Sequence, residues 1–456
     1  MRHDLRKKFW VIGVLGITLG LAIPTEAQDL AAKIDAYLRP FVESNNFIGV
    51  VRVSRGDRVL FEKGYGLANY ELRIPNGAET RFHIASVSKA FTAAAILLLE
   101  ERGKLATTDP LSKYLPGYPG GDKIRLEHLL THGSGIPNVN NFPEYDRESF
   151  FHHSPADIVA MFRDKPLDFE PGANNRYSNS NYNVLALVIE TVSGHSYGRF
   201  LQANIFDPLG LRSTAHDGDA SAPIPNRATG MEPQGLRDLK LAPQIDWSIK
   251  TGNGSLVTTA SDLAKFARAI FEGRLLQPAS LAKIMSGGPV FPYGWTTRNR
   301  SNRKLKGAGG RSPGFVSNLD YDPGDGTCVV ILSNSYSPVT QDPIAPAVEA
   351  IVFGESPRPE PTTPVKPRAG ELAALAGKYQ MPDDYYVPGL ILTLEDRGDY
   401  LEARSPDGTT TFIYPVGDGQ YLDRSYWARA RFTRDPAGHV TGFIYSMGRE
   451  FLAIRR

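Results

Sequence analysis

Ser86 and Lys89 stand three residues apart in the run Ile84-Ala85-Ser86-Val87-Ser88-Lys89-Ala90-Phe91, a spacing that sets a hydroxyl and an amine on one face of a helix. Burial lowers the pKa of such an amine, so it can take the hydroxyl proton and leave an activated nucleophile. The first turn of a helix adds unpaired N–H groups and the positive end of its dipole, which favour the oxyanion formed in acyl transfer. The same Ser-x-x-Lys spacing recurs at Ser280/Lys283 and at Ser301/Lys304, and the surroundings separate the three. Ser301 lies in the basic run 298–304, which reads as a solvated loop, and Ser280 follows Gln277-Pro278 on a short amphipathic segment. Only Ser86 opens a long apolar run, residues 91–99, which ends at Gly103 and reads as a buried helix.

A second grouping follows Glu170-Pro171-Gly172, where Arg176-Tyr177-Ser178-Asn179-Ser180-Asn181-Tyr182 runs into a helical pattern. A tyrosine held near an ammonium sheds its proton more easily and can shuttle it between a serine and a leaving group, while an asparagine amide can grip a substrate carbonyl. The alternative is a polar helix start, with Asn179 or Asn181 as the cap and Tyr177 half buried.

The elements that must position these groups are legible in outline. Strand patterns at 49–53 and 58–65 flank a turn at Arg55-Gly56-Asp57, and helical patterns follow at 86–102 and 182–192. Strand patterns return at 314–319 and 327–333, so early and late strands are expected to pair in one sheet with helices inserted between them. The proline-dense stretch 356–370 reads as a semi-rigid spacer. Beyond it, short alternating segments at 372–379, 390–394, 400–403, 410–416, 430–433 and 440–445 are divided by turn pairs such as Asp407-Gly408 and Asp418-Gly419, which argues a small antiparallel barrel or sandwich. The expected organisation is a segment 1–27, a large α/β domain 28–355, the linker 356–370 and an all-β domain 371–456.

Residues 1–27 read as a secretory signal peptide: basic Arg2, Arg6, Lys7 and Lys8, an apolar core over 9–23, and Thr25-Glu26-Ala27 before Gln28. An uncut membrane anchor is the alternative, but that core is short of the roughly 20 apolar residues a spanning helix needs. The expectation is export, to periplasm or medium, with no membrane span after signal removal. The chain carries 51 Lys and Arg against 49 Asp and Glu; residues 1–27 hold four of the former and two of the latter, leaving 47 of each. A nucleic-acid partner is therefore not expected. The single cysteine, Cys328, sits in an apolar strand-like run and reads as core packing. No His or Cys spacing suggests a metal site and no nucleotide-binding glycine fingerprint is present, so neither metal nor cofactor is expected.

Four stretches in order carry a family resemblance: Ile84-Ala85-Ser86-Val87-Ser88-Lys89; Leu129-Leu130-Thr131-His132-Gly133-Ser134-Gly135-Ile136-Pro137; Pro171-Gly172 with Tyr177-Ser178-Asn179; and Asn253-Gly254-Ser255-Leu256-Val257-Thr258-Thr259-Ala260-Ser261-Asp262-Leu263. Over residues 34–353 the chain resembles class C β-lactamases and the related penicillin-binding esterases, D-aminopeptidases and DD-carboxypeptidases. The resemblance implies a β-lactamase/transpeptidase-like α/β (α+β) fold, an antiparallel sheet flanked by helices with an inserted helical subdomain. It implies Ser86 as nucleophile, Lys89 as partner base, Tyr177 as proton shuttle and Asn179 as substrate ligand, with His132 structural. His83 is expected only to end the preceding strand or loop. The C-terminal part resembles the lipocalin-like barrel appended to some of these hydrolases.

One departure stands out. Family members carry Lys or His before glycine on the strand lining the cleft; here the run is Lys306-Gly307-Ala308-Gly309-Gly310-Arg311-Ser312-Pro313-Gly314-Phe315, with Ala308 at that position. Gly309 and Gly310 keep the backbone close to the cleft, and the Arg311 N–H is expected to join that of Ser86 as an oxyanion hole. Lys306 shares a strand face with Ala308, and Arg311 could swing a fixed charge toward a substrate carboxylate; the alternative makes both solvated surface charges. The function expected is a serine hydrolase acting on an ester or small-peptide substrate, D-amino-acid peptides and β-lactams among them. The other reading, which Ala308 favours, is a catalytically weakened module that binds cell-wall or other exported ligands. Oligomeric state is left open.

Overall fold

The structure is a computed structural model that describes residues 25–218, 221–234, 238–286, 292–337, 342–358, 362–447 and 449–456. The signal-peptide reading of 1–27 falls mostly outside these residues, and the expected cleavage point after Ala27 lies in the first turn of the helix Thr25–Glu43. Linker residues 359–361 are likewise outside them.

A six-stranded antiparallel sheet forms the frame, in the order Thr296–Arg300, Arg303–Ser312, Phe315–Tyr321, Thr327–Ser333, Gly49–Arg55, Arg58–Tyr65. Early and late strands meet at its centre, Gly49 opposite Ser333 and Val53 opposite Val329. Both faces of this centre are covered, which is why Thr327–Ser333 reads as a continuous apolar run and is buried throughout. Val51, Val53, Val329 and Ile331 face the helices Thr25–Glu43 and Ile344–Val352, contributing to a core with Ile34, Leu38, Phe41 and Val348. Val50, Val330 and Leu332 turn the other way, into a larger core with the helices Ser88–Glu101, Asn179–Ser193 and Ala260–Phe271. Burial of that many aliphatic side chains, at about 25 cal/mol per Å² of apolar surface, is the main stabilising term. The chain between the strands Arg58–Tyr65 and Thr296–Arg300 supplies the inserted helices.

The C-terminal part is a closed eight-stranded antiparallel barrel in simple sequence order. The first strand, Gly377–Gln380, pairs with both Ile391–Asp396 and the last, Glu450–Arg455. Two differences from the sequence pattern have physical causes. The expected strand 372–379 begins as a helical turn, Glu371–Leu375, whose Leu372 and Leu375 enter the barrel core. The strand Glu450–Arg455 escapes an alternation test because its outward residues Leu452 and Ile454 are as apolar as its inward Phe451 and Ala453. Gln420–Asp423 is simply too short to stand out.

The barrel docks on the larger domain through the turn after Asp423. The Arg424 carbonyl accepts from Asn46 Nδ2 at 2.8 Å, and Trp427 packs on Phe41 with ring centroids 4.7 Å apart. The proline-rich segment is pinned alongside, the Val365 N–H donating to the Pro415 carbonyl and Arg424 Nη1 to the Thr362 carbonyl at 2.9 Å. Among the described residues no helix is long and apolar enough to cross a membrane.

Candidate active site

Ser86 sits in a 3-10 turn, Ala85–Val87, one residue before the helix Ser88–Glu101, so Lys89 occupies that helix's first turn. The turn is strained: Ala85 has φ +45°, a left-handed conformation that costs a residue with a Cβ of order 1–3 kcal/mol and persists only where the surroundings enforce it. Here the preceding residue is held on both sides, the Ile84 N–H donating to the Leu256 carbonyl and the Ile84 carbonyl accepting from Ser317 Oγ at 2.7 Å. The strain aims the Ser86 hydroxyl at its partners.

Lys89 is 3% exposed. Its ammonium donates to Ser86 Oγ at 3.0 Å, to Asn179 Oδ1 at 2.8 Å and to the Asn253 carbonyl at 2.9 Å. Burial holds its pKa well below the usual lysine range, and the charge of Lys250 pushes in the same direction. Ser86 Oγ lies 2.7 Å from the Tyr177 hydroxyl, which also donates to Asn179 Oδ1 at 3.2 Å. All four expected groups, Ser86, Lys89, Tyr177 and Asn179, therefore meet in one hydrogen-bonded cluster.

Tyr177 departs from its expectation in one respect. Nearness to an ammonium was to make its proton easier to lose, but burial outweighs that, and the phenol is pushed up to about 12 despite the opposing hydrogen bond from Ser86. At neutral pH it is a proton donor and relay, and the amine of Lys89 is the stronger candidate base. His132 is the platform beneath it. Its ring lies 4.6 Å from that of Tyr177, its Nδ1 accepts from the Ser178 N–H at 3.2 Å, and burial followed by the Lys89 charge lowers its pKa to about 3. A histidine so held is neutral and supports the tyrosine by packing.

The start of the helix Asn179–Ser193 is not capped by either asparagine that the sequence offered. Ser178 is the N-cap, without a side-chain cap bond, and Asn138 Oδ1 accepts the Asn179 N–H from outside at 2.9 Å. That external cap frees the Asn179 side chain for the cluster, where Asn140 Oδ1 takes one hydrogen of its amide at 2.7 Å. Asn181 instead accepts from Ser134 Oγ at 2.5 Å, tying the Thr-His-Gly-Ser-Gly stretch to the helix. Asn138, Asn140 and Lys250 carried no sequence signal, because their roles depend on segments brought together only by folding.

Beside the serine, the strand Arg303–Ser312 comes close enough that a Cβ on Gly310 would stand 2.3 Å from the Ile84 carbonyl and 2.8 Å from the Ser86 nitrogen. Only glycine fits there. Gly309 and Arg311 follow the same strand, in register with Asn318 and Val316. Ala308 is 4% exposed and belongs to the main core. Neither replacement cation takes the missing Lys/His place. Lys306 is buried, and its ammonium donates to the Ile284 and Met285 carbonyls at 3.3 and 3.1 Å, stabilising the C-terminal end of the helix Pro278–Ser286. It is thus neither the surface charge nor the site group the sequence suggested. Arg311 is partly exposed and pairs with Asp342 at 3.2 Å.

The other Ser-x-x-Lys pairs are structural. Lys283 pairs with Glu100 at 2.6 Å, and Ser301 occupies a positive-φ hairpin turn. His83 does end a short strand, Phe82–His83, and its Nε2 lies 2.8 Å from Asp217. Cys328 is buried, and burial raises its thiol pKa far above the ordinary range, so it is no nucleophile.

A serine that follows the strained Ala85 and lies within hydrogen-bond reach of a buried lysine and a tyrosine, beside an antiparallel sheet, is the arrangement of active-serine hydrolases. The chain belongs to the β-lactamase family of serine hydrolases, whose family model, described as Beta-lactamase, matches residues 34–352. It is 33% identical over 312 residues to PbpX of Bacillus subtilis, described as a "putative penicillin-binding protein", covering 67% of this chain and 74% of that one. It is 31% identical over 278 residues to a teichoic acid D-alanine hydrolase of Staphylococcus aureus, covering 59% of this chain and 66% of that one. The fold of the whole chain, barrel included, resembles the octameric penicillin-binding protein homologue from Pyrococcus abyssi, with TM-score 0.62, 24% identity, and coverage of 93% of this chain and 99% of that one.

Proposed function

We propose that the chain is an exported serine hydrolase that forms an acyl-enzyme at Ser86 on ester or small-peptide substrates, D-amino-acyl compounds among them. The observation that carries this reading is the Ser86 hydroxyl held between Lys89 Nζ at 3.0 Å and the Tyr177 hydroxyl at 2.7 Å. Neutral Lys89 takes the Ser86 proton as Oγ attacks the carbonyl carbon, and the N–H groups of Ser86 and Arg311 receive the oxyanion. As the tetrahedral intermediate collapses, the leaving oxygen or nitrogen takes a proton passed from Lys89 through Tyr177, and its bond to carbon breaks. Water then attacks the Ser86 ester, its proton passes through the same relay to Ser86 Oγ as the Oγ–C bond breaks, and the acid is released. Asn179 keeps an amide hydrogen for the acyl side of the substrate. The D-alanine specificity in the name of the Staphylococcus aureus relative favours a D-amino-acyl group, and Ala308 favours esters over amides, since an ester leaving group needs less help from a further proton relay. The basic, apolar N-terminal segment supports export.

A second reading keeps the cleft for binding alone, and Ala308 is the observation behind it. Against it stand the buried amine and the strained turn at Ala85, both costly features that a simple binder could lose. Intact mass after incubation with a serine-reactive phosphonate decides between the two, with Ser86→Ala beside it. One adduct, absent in the variant, supports the hydrolase, and rates on D- and L-alanyl esters then test the acyl preference. No adduct on the unaltered chain sinks the hydrolase reading and leaves the binding module.

A further inference from the structure

Residues of the barrel line a cavity of about 540 Å³, within the size range of small-molecule sites. Leu392, Ile413, Phe443 and Met447 give it apolar walls, and Tyr385, Tyr386, Tyr426 and Tyr445 bring aromatic rings to it. Tyr386 and Val387, which also line it, are 63% and 54% exposed.

One side chain in this wall is out of character. Asp423 is 1% exposed and lines the cavity. It accepts from the Tyr445 hydroxyl at 2.9 Å and from the N–H groups of Ser425 and Tyr426 at 2.9 and 3.3 Å, and the Thr411 hydroxyl also bears on it. These donors are all uncharged. Among the described residues neither Lys nor Arg lines the cavity, and a second acid, Asp407, adds negative charge to its wall. Buried carboxylates are ordinarily paired with a cation. Burial raises the pKa of Asp423 to about 6, and a cation brought against it would favour the carboxylate form.

We propose that the barrel cavity is a binding site for a small amphiphile with an apolar body and a protonated amine, the amine supplying the counter-charge that Asp423 lacks. The tyrosine rings suit the same head group, because their faces attract ammonium ions. A fatty-acid carboxylate is the wrong ligand here: its charge would face Asp423 and Asp407 with no basic residue in the wall to receive it. This site is separate from the one at Ser86 and does not depend on hydrolysis there.

Calorimetric titration of the full-length chain with three ligands that share one body tests this: 2-phenylethylamine, 2-phenylethanol and 3-phenylpropionate. The amine is expected to bind at least about tenfold more tightly than the alcohol, the scale of a single desolvated charge pair, and the carboxylate weakest. Asp423→Asn should erase the amine's advantage while the alcohol still binds, and Ile413→Trp, which fills the cavity, should abolish binding of all three. The same order in Ser86→Ala keeps the result independent of catalysis. No binding of the amine, a carboxylate equal to it, or amine binding that survives Ile413→Trp would overturn the assignment, whether or not Asp423→Asn folds.

Discussion

The Asn179 side-chain carbonyl accepts from the Lys89 ammonium at 2.8 Å, so the residue expected to grip substrate also holds the candidate base. Replacing that neutral acceptor by a carboxylate in Asn179→Asp places a negative charge beside the ammonium and favours its charged form. The acid limb of the kcat/KM profile, where Lys89 must lose its proton, is expected to move to higher pH. A limb that stays in place would mean that another group governs it.

Tyr177→Phe keeps the ring on its His132 platform and removes only the hydroxyl. Loss of a positioned proton relay costs roughly 10²- to 10⁴-fold, so kcat should fall by that order with little change in melting temperature. A variant with near-normal turnover would leave Lys89 to act on Ser86 alone.

Lys250, almost fully buried with its ammonium 3.2 Å from the Tyr145 hydroxyl, helps hold the Lys89 pKa down by like charge. Lys250→Met removes that repulsion, and the acid limb of kcat/KM should again move to higher pH, whereas Lys250→Arg should leave it near its original position. The pair of pH profiles separates charge from packing.

Ala308→His introduces the side chain that the family resemblance leads one to expect, but at a core position. Overpacking of this kind costs about 1–3 kcal/mol, so the variant is expected to melt at lower temperature, without faster ester hydrolysis. A gain in turnover would show that the cleft has room and that the alanine limits the rate.

Three histidines are held neutral by burial: His83 and His216 at about 4 and His132 at about 3. Each lies below its unfolded value near 6.5, so between those values the unfolded chain binds more protons and stability rises with pH. Going down from pH 6.5 toward 4, stability should be lost progressively, with His132 extending the loss toward 3. Melting curves across pH 7 to 4 check this. His216→Gln should flatten the slope, by at most about 3 kcal/mol over the window.

Much of the frame was legible because it rests on local pattern. The strand at 327–333, buried throughout, read as an apolar run, the pattern at 49–53 read as a strand, and the helix after Ser86 read as a long apolar stretch ending in glycine. The barrel's strands read where outward residues are polar, and failed at Glu450–Arg455, where Leu452 and Ile454 point outward. At the site, Ser86, Lys89, Tyr177 and Asn179 were found from spacing and resemblance. The caps and cations were not: Asn138 serves a helix start 41 residues away, and Lys306 turned out to close a helix end.

The sequence by itself brought the candidate groups into view, Ser86 and Lys89 by their three-residue spacing at a helix start and Tyr177 and Asn179 by the family resemblance. Tertiary structure alone decided their protonation. Burial, more than neighbouring charge, sets Tyr177 high and Lys89 low, because desolvation depends on every segment packed around a group, and those segments come from all along the chain. The same holds for Asp423, an ordinary surface residue type until eight strands close around it.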